Sequence, residues 1–344
     1  VARSIVGVDI GDTSVRAVEV SDAAGSNPTV ERIHQVSLPE GSARNGDVIE
    51  AHTMASALKR LWSEGGFKSR DVALGMGNQR VLARDLTVPK LSIDRIREAL
   101  PFQVQEMLPV PVADAILDFY PISEVTTDSE PMIHGLLVAA VKDAVMTNVT
   151  AVQLARLNPV EVDLIPFALT RVFRKSGNTS GVVALIDVGS AMTNVVVVAN
   201  GVPQFVRIIP NGGDDINAAL MSGLNMTAEN AESAKRQLGL TSGVTADHRS
   251  VAEVIHSGAN QLLTSIRNTL SFYSNSRPNN SPGRIVLMGG VSQMHGFGDM
   301  LGELTKLPVK VDDGFGSVRL SGRLPAGNRT AWTVALGLAL GGRA

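Results

Sequence analysis

Cysteine is absent from the 344 residues. The chain therefore builds no disulfide framework, thiolate nucleophile or cysteine zinc site, and nothing points to an oxidising compartment. Aromatic side chains are scarce at 4%, and basic runs are missing. Both facts argue against single-stranded nucleic acid, which is held by stacked aromatics in a basic groove. An excess of one charge is lacking too. The formal net charge is -2, so no bulk field draws the chain to nucleic acid or an anionic membrane. The longest apolar run, Leu136 to Val141, falls far short of the ~20 residues of a membrane span. No basic start and apolar stretch precede the strand-like Ile5 to Asp9, so no signal peptide is expected. No basic amphipathic segment follows the helix-like Trp332 to Leu340. What is present is 44% apolar and 19% charged residues, a balance that fits a globular chain with a sizeable core. The length suggests about two domains.

Two segments resemble each other: GVDIGDTSVRAVEV, Gly7 to Val20, and LIDVGSAMTNVVVV, Leu185 to Val198. Each is an apolar strand ending in Asp, a Gly two residues on, small polar residues, and a second apolar strand. That is a hairpin pattern. With Asp9 laid on Asp187, Gly11 falls on Gly189 and Val15 on Thr193. The turns expose backbone N–H groups that can form an anion-binding nest. Gly11 and Gly189 let backbone approach a phosphate, and Thr13, Ser14, Ser190 and Thr193 can add hydroxyl bonds. Asp9 and Asp187, at strand ends, are placed to hold magnesium through its water shell. Either motif alone reads equally well as a plain turn. Two copies point to two similar domains facing one nucleotide.

Further on, Arg284 to Met288 reads as a strand broken by Gly289 and Gly290, with a helix expected after Ser292 that takes in His295. A glycine pair at the carboxyl end of a strand is where an open α/β sheet takes its ligand, and flat backbone there can pack on adenine. Before it, Thr227 is a good N-cap for AENAESAKRQLG and Gly239 a good C′ residue. Glu232 and Lys235 share one face of that helix. They suit ribose hydroxyls and a base edge, or else form an exposed ion pair of small worth.

The order of these motifs resembles that of the actin-like ATPases. In detail the chain resembles the type IV pilus assembly protein PilM family, through GVDIGDTSVRAVEV, ALPFQVQEMLPVPVADAILDF (Ala99 to Phe119), NAESAKRQLG and RIVLMGGVSQMHGFGDML. The resemblance covers nearly the whole chain. It implies an α/β, actin-like (ribonuclease H-like) fold of two lobes, with an inserted subdomain of the kind seen in the division protein FtsA. The implied limits are 1–80, 164–180 and 328–344 for the first core, 81–163 for the insertion, 181–211 and 276–327 for the second core, and 212–275 for its helical subdomain. Within the insertion the expected elements are strands at Val81 to Val88, Ile116 to Tyr120 and Gly135 to Val141, and a helix at Ile93 to Met107.

The resemblance also implies a site for ATP and Mg2+. Gly11, Asp12, Thr13, Ser14, Val15 and Arg16 would come from the first hairpin, and Gly189, Ser190, Met192, Thr193 and Asn194 from the second. Gly212, Gly213, Glu232, Lys235, Gly289, Gly290, Val291, Ser292 and Met294 would complete it. Asp9 and Asp187 are the metal-holding and catalytic candidates, and turnover is expected to be slow or nil. The implied partner is the N-terminal cytoplasmic tail of a PilN-like membrane protein, seated between the first core and the insertion. Self-association is a further implied contact; nucleic acid and direct membrane insertion are not implied. The implied location is cytoplasmic, beneath the inner membrane through partners. Met107 to Val112, apolar and flanked by proline, reads either as partner surface or as a buried turn.

Two positions depart from the family pattern: Asp12, where a small or hydroxyl residue is usual, and Arg16, where Lys is usual. A carboxylate 5 Å from a phosphate charge costs about 3 kcal/mol at an effective dielectric of 20, roughly a hundredfold in affinity. Magnesium offsets this, Asp12 turns away, or binding is weak. Rival readings are an FtsA-like division scaffold, which would need a membrane-binding tail, and a small-molecule kinase of the sugar-kinase type, which would need a general base in the first lobe.

Overall fold

A computed structural model describes residues 4–126, 131–241, 243, 245–322 and 329–341. The strands β1 (Ser4–Ile10), β2 (Ser14–Ser21) and β3 (Thr29–Ser37) form an antiparallel meander. A short ladder of β4 (Ala43–Arg44) and β5 (Asp47–Val48) leads into α1 (Ala51–Gly65) and β6 (Asp71–Met76). Next come β7 (Val81–Pro89), α2 (Ile93–Gln103), β8 (Ala115–Thr126) and β9 (Pro131–Val141). The helix α3 (Lys142–Leu154), β10 (Asn158–Leu164) and α4 (Ile165–Lys175) follow. A second meander, β11 (Val182–Val188), β12 (Thr193–Ala199) and β13 (Val202–Ile209), precedes α5 (Gly213–Leu224), α6 (Ala228–Leu238) and α7 (Arg249–Ser276). The described chain closes with β14 (Arg284–Met288), α8 (Phe297–Thr305), β15 (Val309–Val311), β16 (Arg319–Leu320) and α9 (Thr333–Ala339).

The two large sheets repeat one plan. In the second, the order is β13-β12-β11-β14-β15, with β14 and β15 parallel to β11. In the first, β3-β2-β1-β6-β10 reproduces that order, with β6 and β10 parallel to β1 and β16 added beside β3. Each is a meander whose first strand also pairs with a crossover strand. Strands buried on both faces must be apolar throughout, and β11 obeys: Ala184 and Ile186 pack with α5, α7 and α8, while Val183 and Leu185 face α4. This alternation is the period of two that sends successive side chains to opposite faces. In the first sheet Val6, Val8 and Val15 pack under α1 and α3, and Val18 and Val20 pack under α9. The two lobes share a core through α4 and α9, where Leu169 and Leu338 meet Leu185 and Val196.

The insertion is the three-stranded sheet β7-β9-β8, covered by α2. The expected limit of 81–163 would also take in α3 and β10. β10 is parallel to β6 in the first core sheet and α3 packs on α1 and β10, because Ala151 and Val152 are buried with Leu58 and Leu61. We therefore propose that the insertion ends with β9.

Other differences have local causes. The helix expected to reach Met107 ends at Gln103, with Met107 in a 3-10 turn. Pro101 lies inside it, where a missing N–H and a ring clash weaken the last turn. His295 is not helical: Gly290–Gln293 is a 3-10 turn, α8 starts at Phe297, and Gly296 in the left-handed region makes the break. The His295 carbonyl accepts the Leu240 N–H at 2.8 Å. Met107 to Val112 is not a buried turn. Met107, Leu108 and Val110 are half-buried and both prolines are exposed. No helix among the described residues is long and apolar enough to cross a membrane.

Candidate functional site

A cleft of ≈ 840 Å³ opens between the lobes, and both hairpins point into it. They are built alike. Cross-strand pairing sets Asp9 opposite Arg16 and Asp187 opposite Asn194. The Gly11 N–H donates to Ser14 O at 3.0 Å, and the Gly189 N–H to Met192 O at 2.9 Å. Among the described residues the amides of Asp12, Thr13, Ser190 and Ala191 donate to no protein acceptor. Two turns thus offer N–H groups to one space, as an anion nest requires.

The charges in this space are strained in a specific way. Asp187 is pushed up to about 7, first by burial and then by the nearby Asp9 charge, against a hydrogen bond from Asn194. Asp9 is also raised by burial, which outweighs the attraction of Arg16. Arg16 Nη1 lies 3.7 Å from Asp9 Oδ2, and its Nε donates to Gln35 Oε1 at 3.2 Å. Two carboxylates, Asp187 buried and Asp9 half-buried, with one partial counter-charge form a site short of positive charge. Asp12 lines the cleft, yet its oxygens accept the N–H groups of Asn45 and Gly46 at 2.8 and 2.9 Å. Burial raises Asp214 on α5 against the pull of Lys235, and the charges of Glu232 and then Asp12 add to the rise, so Asp12 still acts across the cleft.

The far end of the cleft is a network around α6. Lys235, 7% exposed, donates to the Gly213 carbonyl at 3.0 Å and lies 2.6 Å from Glu232. Glu232 also accepts from Arg236 at 2.6 Å and Asn217 at 2.8 Å. Burial opposes its ionisation, but the bonds from Lys235, Asn217 and Arg236 outweigh that and pull it down to about 2. The pair is therefore no exposed surface bridge. Gly289, with φ of 85°, closes the cleft; a Cβ there would lie 2.4 Å from the Val188 carbonyl.

Of the expected residues, Asp9, Gly11, Asp12, Thr13, Arg16, Asp187, Gly189, Ser190, Met192 and Asn194 line the cleft. Gly213, Glu232, Lys235, Gly289, Gly290, Val291 and Met294 do so as well. Five expected residues stand behind it. Ser14 and Val15 are buried in β2, and Thr193 bonds the Asn211 carbonyl at 2.8 Å. Gly212 lies so close to Ser190 that a Cβ would meet its carbonyl at 2.3 Å. Ser292 donates to the Gly289 carbonyl at 2.7 Å. Sequence reasoning missed Gln35, Gly75, Gly77, Asp214, Asn217 and Trp332, which also line the cleft. Gly75 and Gly77 carried a signal: a glycine-rich end to a parallel strand beside β1. Asn217 and Trp332 carried none, because tertiary packing alone brings them there.

Asn194 Oδ1, Asn217 Oδ1 and Trp332 Nε1 are buried without a hydrogen-bond partner, all on residues lining this cleft. Buried polar atoms rarely stay unpaired, so these three fit a polar ligand. A cation fits too, of one kind. Among the described residues no three acidic or imidazole side chains converge on a metal position. Two carboxylates beside a phosphate nest match magnesium, which keeps waters and takes phosphate oxygens.

The family model described as type IV pilus assembly protein PilM matches residues 7–343. The chain is similar to the solved PilM-PilN type IV pilus biogenesis complex, with 25% identity, TM-score 0.85, and coverage of 98% of this chain and 97% of that one. It is 22% identical over 285 residues to cell division protein FtsA of Bacillus subtilis (strain 168), covering 75% of this chain. The chain spans 63% of that division protein's length. MreB 5 of Spiroplasma citri, solved bound to AMPPNP, shares the fold at TM-score 0.53 and 13% identity, covering 97% of this chain and 94% of that one.

Proposed function

The chain belongs to the family of the type IV pilus assembly protein PilM, and on that premise we propose that it is an ATP-binding platform of pilus assembly. Its fold is actin-like. In this reading ATP spans the cleft. The hairpin amides hold its phosphates, Glu232 and Lys235 hold the ribose and base edge, and Gly289 and Gly290 back the adenine. Asp9 and Asp187 would hold a magnesium ion, which would supply charge neutralisation at the phosphates. Bound in this way, the nucleotide links both lobes and keeps them closed. The observation that carries the reading is the equivalence of the two hairpins, each with an Asp at the same position of the same sheet plan.

Turnover is slow. Asp187 is the candidate for orienting an attacking water, but beside a bound cation it would be ionised and a weak base, which favours holding nucleotide over consuming it. The partner is the N-terminal cytoplasmic tail of a PilN-like membrane protein, seated between the first core and the insertion. The chain thus works at the cytoplasmic face of the membrane through that partner. The likeness to a PilM-PilN complex over 97% of that chain supports this. So does apolar surface on the insertion, where Phe102 is 86% exposed.

Calorimetric titration with ATP and magnesium tests the nucleotide site. Micromolar or tighter binding is expected, lost in Asp187→Ala; no binding by the wild type refutes it. Titration with a synthetic PilN-like tail peptide tests the partner independently. The likeness to FtsA favours a division scaffold as the second reading. A fluorescent fusion that gathers at the septum would select it.

A further inference from the structure

The first core carries a second concavity, where β6 and β10 begin, at the opposite end of β6 from Gly75 and Gly77 of the cleft. It has a volume of ≈ 390 Å³ and is lined by Lys59, Trp62, Arg70, Ala155, Arg156 and Leu157. Small-ligand sites occupy roughly this size and upward. Three of its six residues are cationic and none is acidic, on a chain whose net charge is -2. Local charge here runs against the whole.

Three separate segments deliver these cations. Lys59 and Trp62, three residues apart on α1, share a face. Arg70 stands at the entry to β6, where its carbonyl accepts the Asn158 N–H at 2.8 Å. Arg156 sits in the turn between α3 and β10 with φ of 61°. That left-handed conformation is costly for any residue with a Cβ and is met most cheaply by Gly or Asn. An arginine there keeps a long cationic side chain at a position where its backbone is disfavoured. Among the described residues no hydrogen bond or ion pair engages the three cationic side chains. Acids nearby in sequence are committed elsewhere: Glu64 faces Arg60 and His34, and Asp71 accepts from Asn158.

The floor also constrains the ligand. Ala155 and Leu157 are buried and apolar. The Trp62 Nε1–H donates to the Ser69 carbonyl at 2.9 Å, and its ring leans on Phe67 at 5.2 Å between centroids. The indole is therefore fixed, with its N–H spent, and only its apolar surface remains for a ligand. Two guanidinium forks and an ammonium suit a phosphate better than a lone carboxylate, since Arg binds phosphate oxygens in pairs.

We propose that this pocket is a second ligand site that takes an organic phosphate, its phosphate among Lys59, Arg70 and Arg156 and its small apolar body on Trp62 and Leu157. A phospholipid headgroup and a free phosphate ester share this chemistry. The site is separate from the nucleotide cleft and stands whether or not that cleft binds ATP.

Tryptophan fluorescence tests it, because the chain has only two tryptophans: Trp62 here and Trp332 in the cleft. The full chain is titrated with glycerol 1-phosphate, and with vesicles of phosphatidylcholine with or without phosphatidylglycerol. A saturable change is expected that vanishes in Trp62→Phe. It should weaken at least about tenfold in Arg70→Gln/Arg156→Gln, and should weaken as salt is added. Lys59→Gln, on the exposed side of α1, must also weaken it, which keeps the idea testable if the double variant fails to fold. Tighter binding to phosphatidylglycerol vesicles than to equal soluble phosphate identifies a lipid headgroup; equal binding identifies a free ester. No Trp62-dependent change with either probe overturns the proposal, as does a response that the variants leave intact. Preference for a hexaglutamate peptide over both probes also overturns it, in favour of an acidic protein partner.

Discussion

Replacing Asp187 by asparagine removes a carboxyl group whose ionisation the fold resists. An unfolded chain ionises it near 3.8, whereas in the fold burial, and then the Asp9 charge, hold it to about 7. Between these values the native state keeps a proton that the unfolded chain has released. The stability this group contributes is therefore full below about pH 4 and is lost as pH rises through about 7. Three powers of ten in proton affinity correspond to about 4 kcal/mol, the most that the wild type can lose from this source. Asparagine has the same shape and no such loss. The stability gap between Asp187→Asn and wild type should therefore widen from acid to neutral pH, in favour of the variant, and level off near about pH 8. Urea unfolding of both proteins without nucleotide, at steps from about pH 4 to 8, measures the gap, and titrating groups that do not interact with Asp187 cancel in the difference. Parallel profiles would mean that the carboxyl ionises freely and that the buried pair does not exist as described. A variant that gains stability and loses ATP would mark the residue as kept for binding at a cost in stability.

Three further outcomes are expected. Binding of ATP with magnesium should drive Asp187 to its ionised form, releasing about half a proton at pH 7 and close to one at pH 6. Calorimetry in buffers of different ionisation heat reads this, and zero release at both values removes Asp187 from the cation. Asp12→Asn should raise ATP affinity by about tenfold or more by removing a negative charge near the phosphates; a fall in a titration would show that the bonds to Asn45 and Gly46 matter more than repulsion. In Gly77→Ala the new Cβ would lie 2.7 Å from Ile165 Cδ1 and 2.9 Å from Asn194 Oδ1. It should cost about 1–3 kcal/mol in unfolding and weaken ATP, and unchanged ATP affinity would place Gly77 outside the site.

The strands were the most legible part of the fold. Arg284 to Met288 was read to the residue, and the two hairpins were found as a repeat, because apolar strands bounded by Asp and Gly leave few alternatives. Thr227 was legible as an N-cap because its hydroxyl has a local target, the Asn230 N–H. Where local signals competed, reading failed. Pro101 ended α2 earlier than its apolar spacing suggested, and Gly296 kept His295 out of α8. The side of the insertion on which α3 falls is decided by packing against α1, which no local pattern encodes. The cleft was legible at its hairpin end, where glycines and hydroxyls are spaced along a single turn. It was illegible at Asn217 and Trp332, which approach through the arrangement of whole helices.

The position of α9 has a consequence for how the molecule is made. This helix packs on β1, β2 and α4 so closely that a Cβ at Gly7 would lie 2.0 Å from the Ala335 carbonyl, and one at Gly337 would lie 2.3 Å from the Ala168 carbonyl. Yet α9 follows the whole of the second lobe in sequence. The second sheet draws all its strands from one continuous stretch and can close soon after β15 leaves the ribosome. The first sheet, whose strands β1 to β10 are synthesised first, cannot cover Val18 and Val20 until α9 arrives, roughly 10 to 35 s after β10 at ordinary elongation rates. During that interval an apolar sheet face is bare, and the nascent first lobe is the segment that a chaperone would hold.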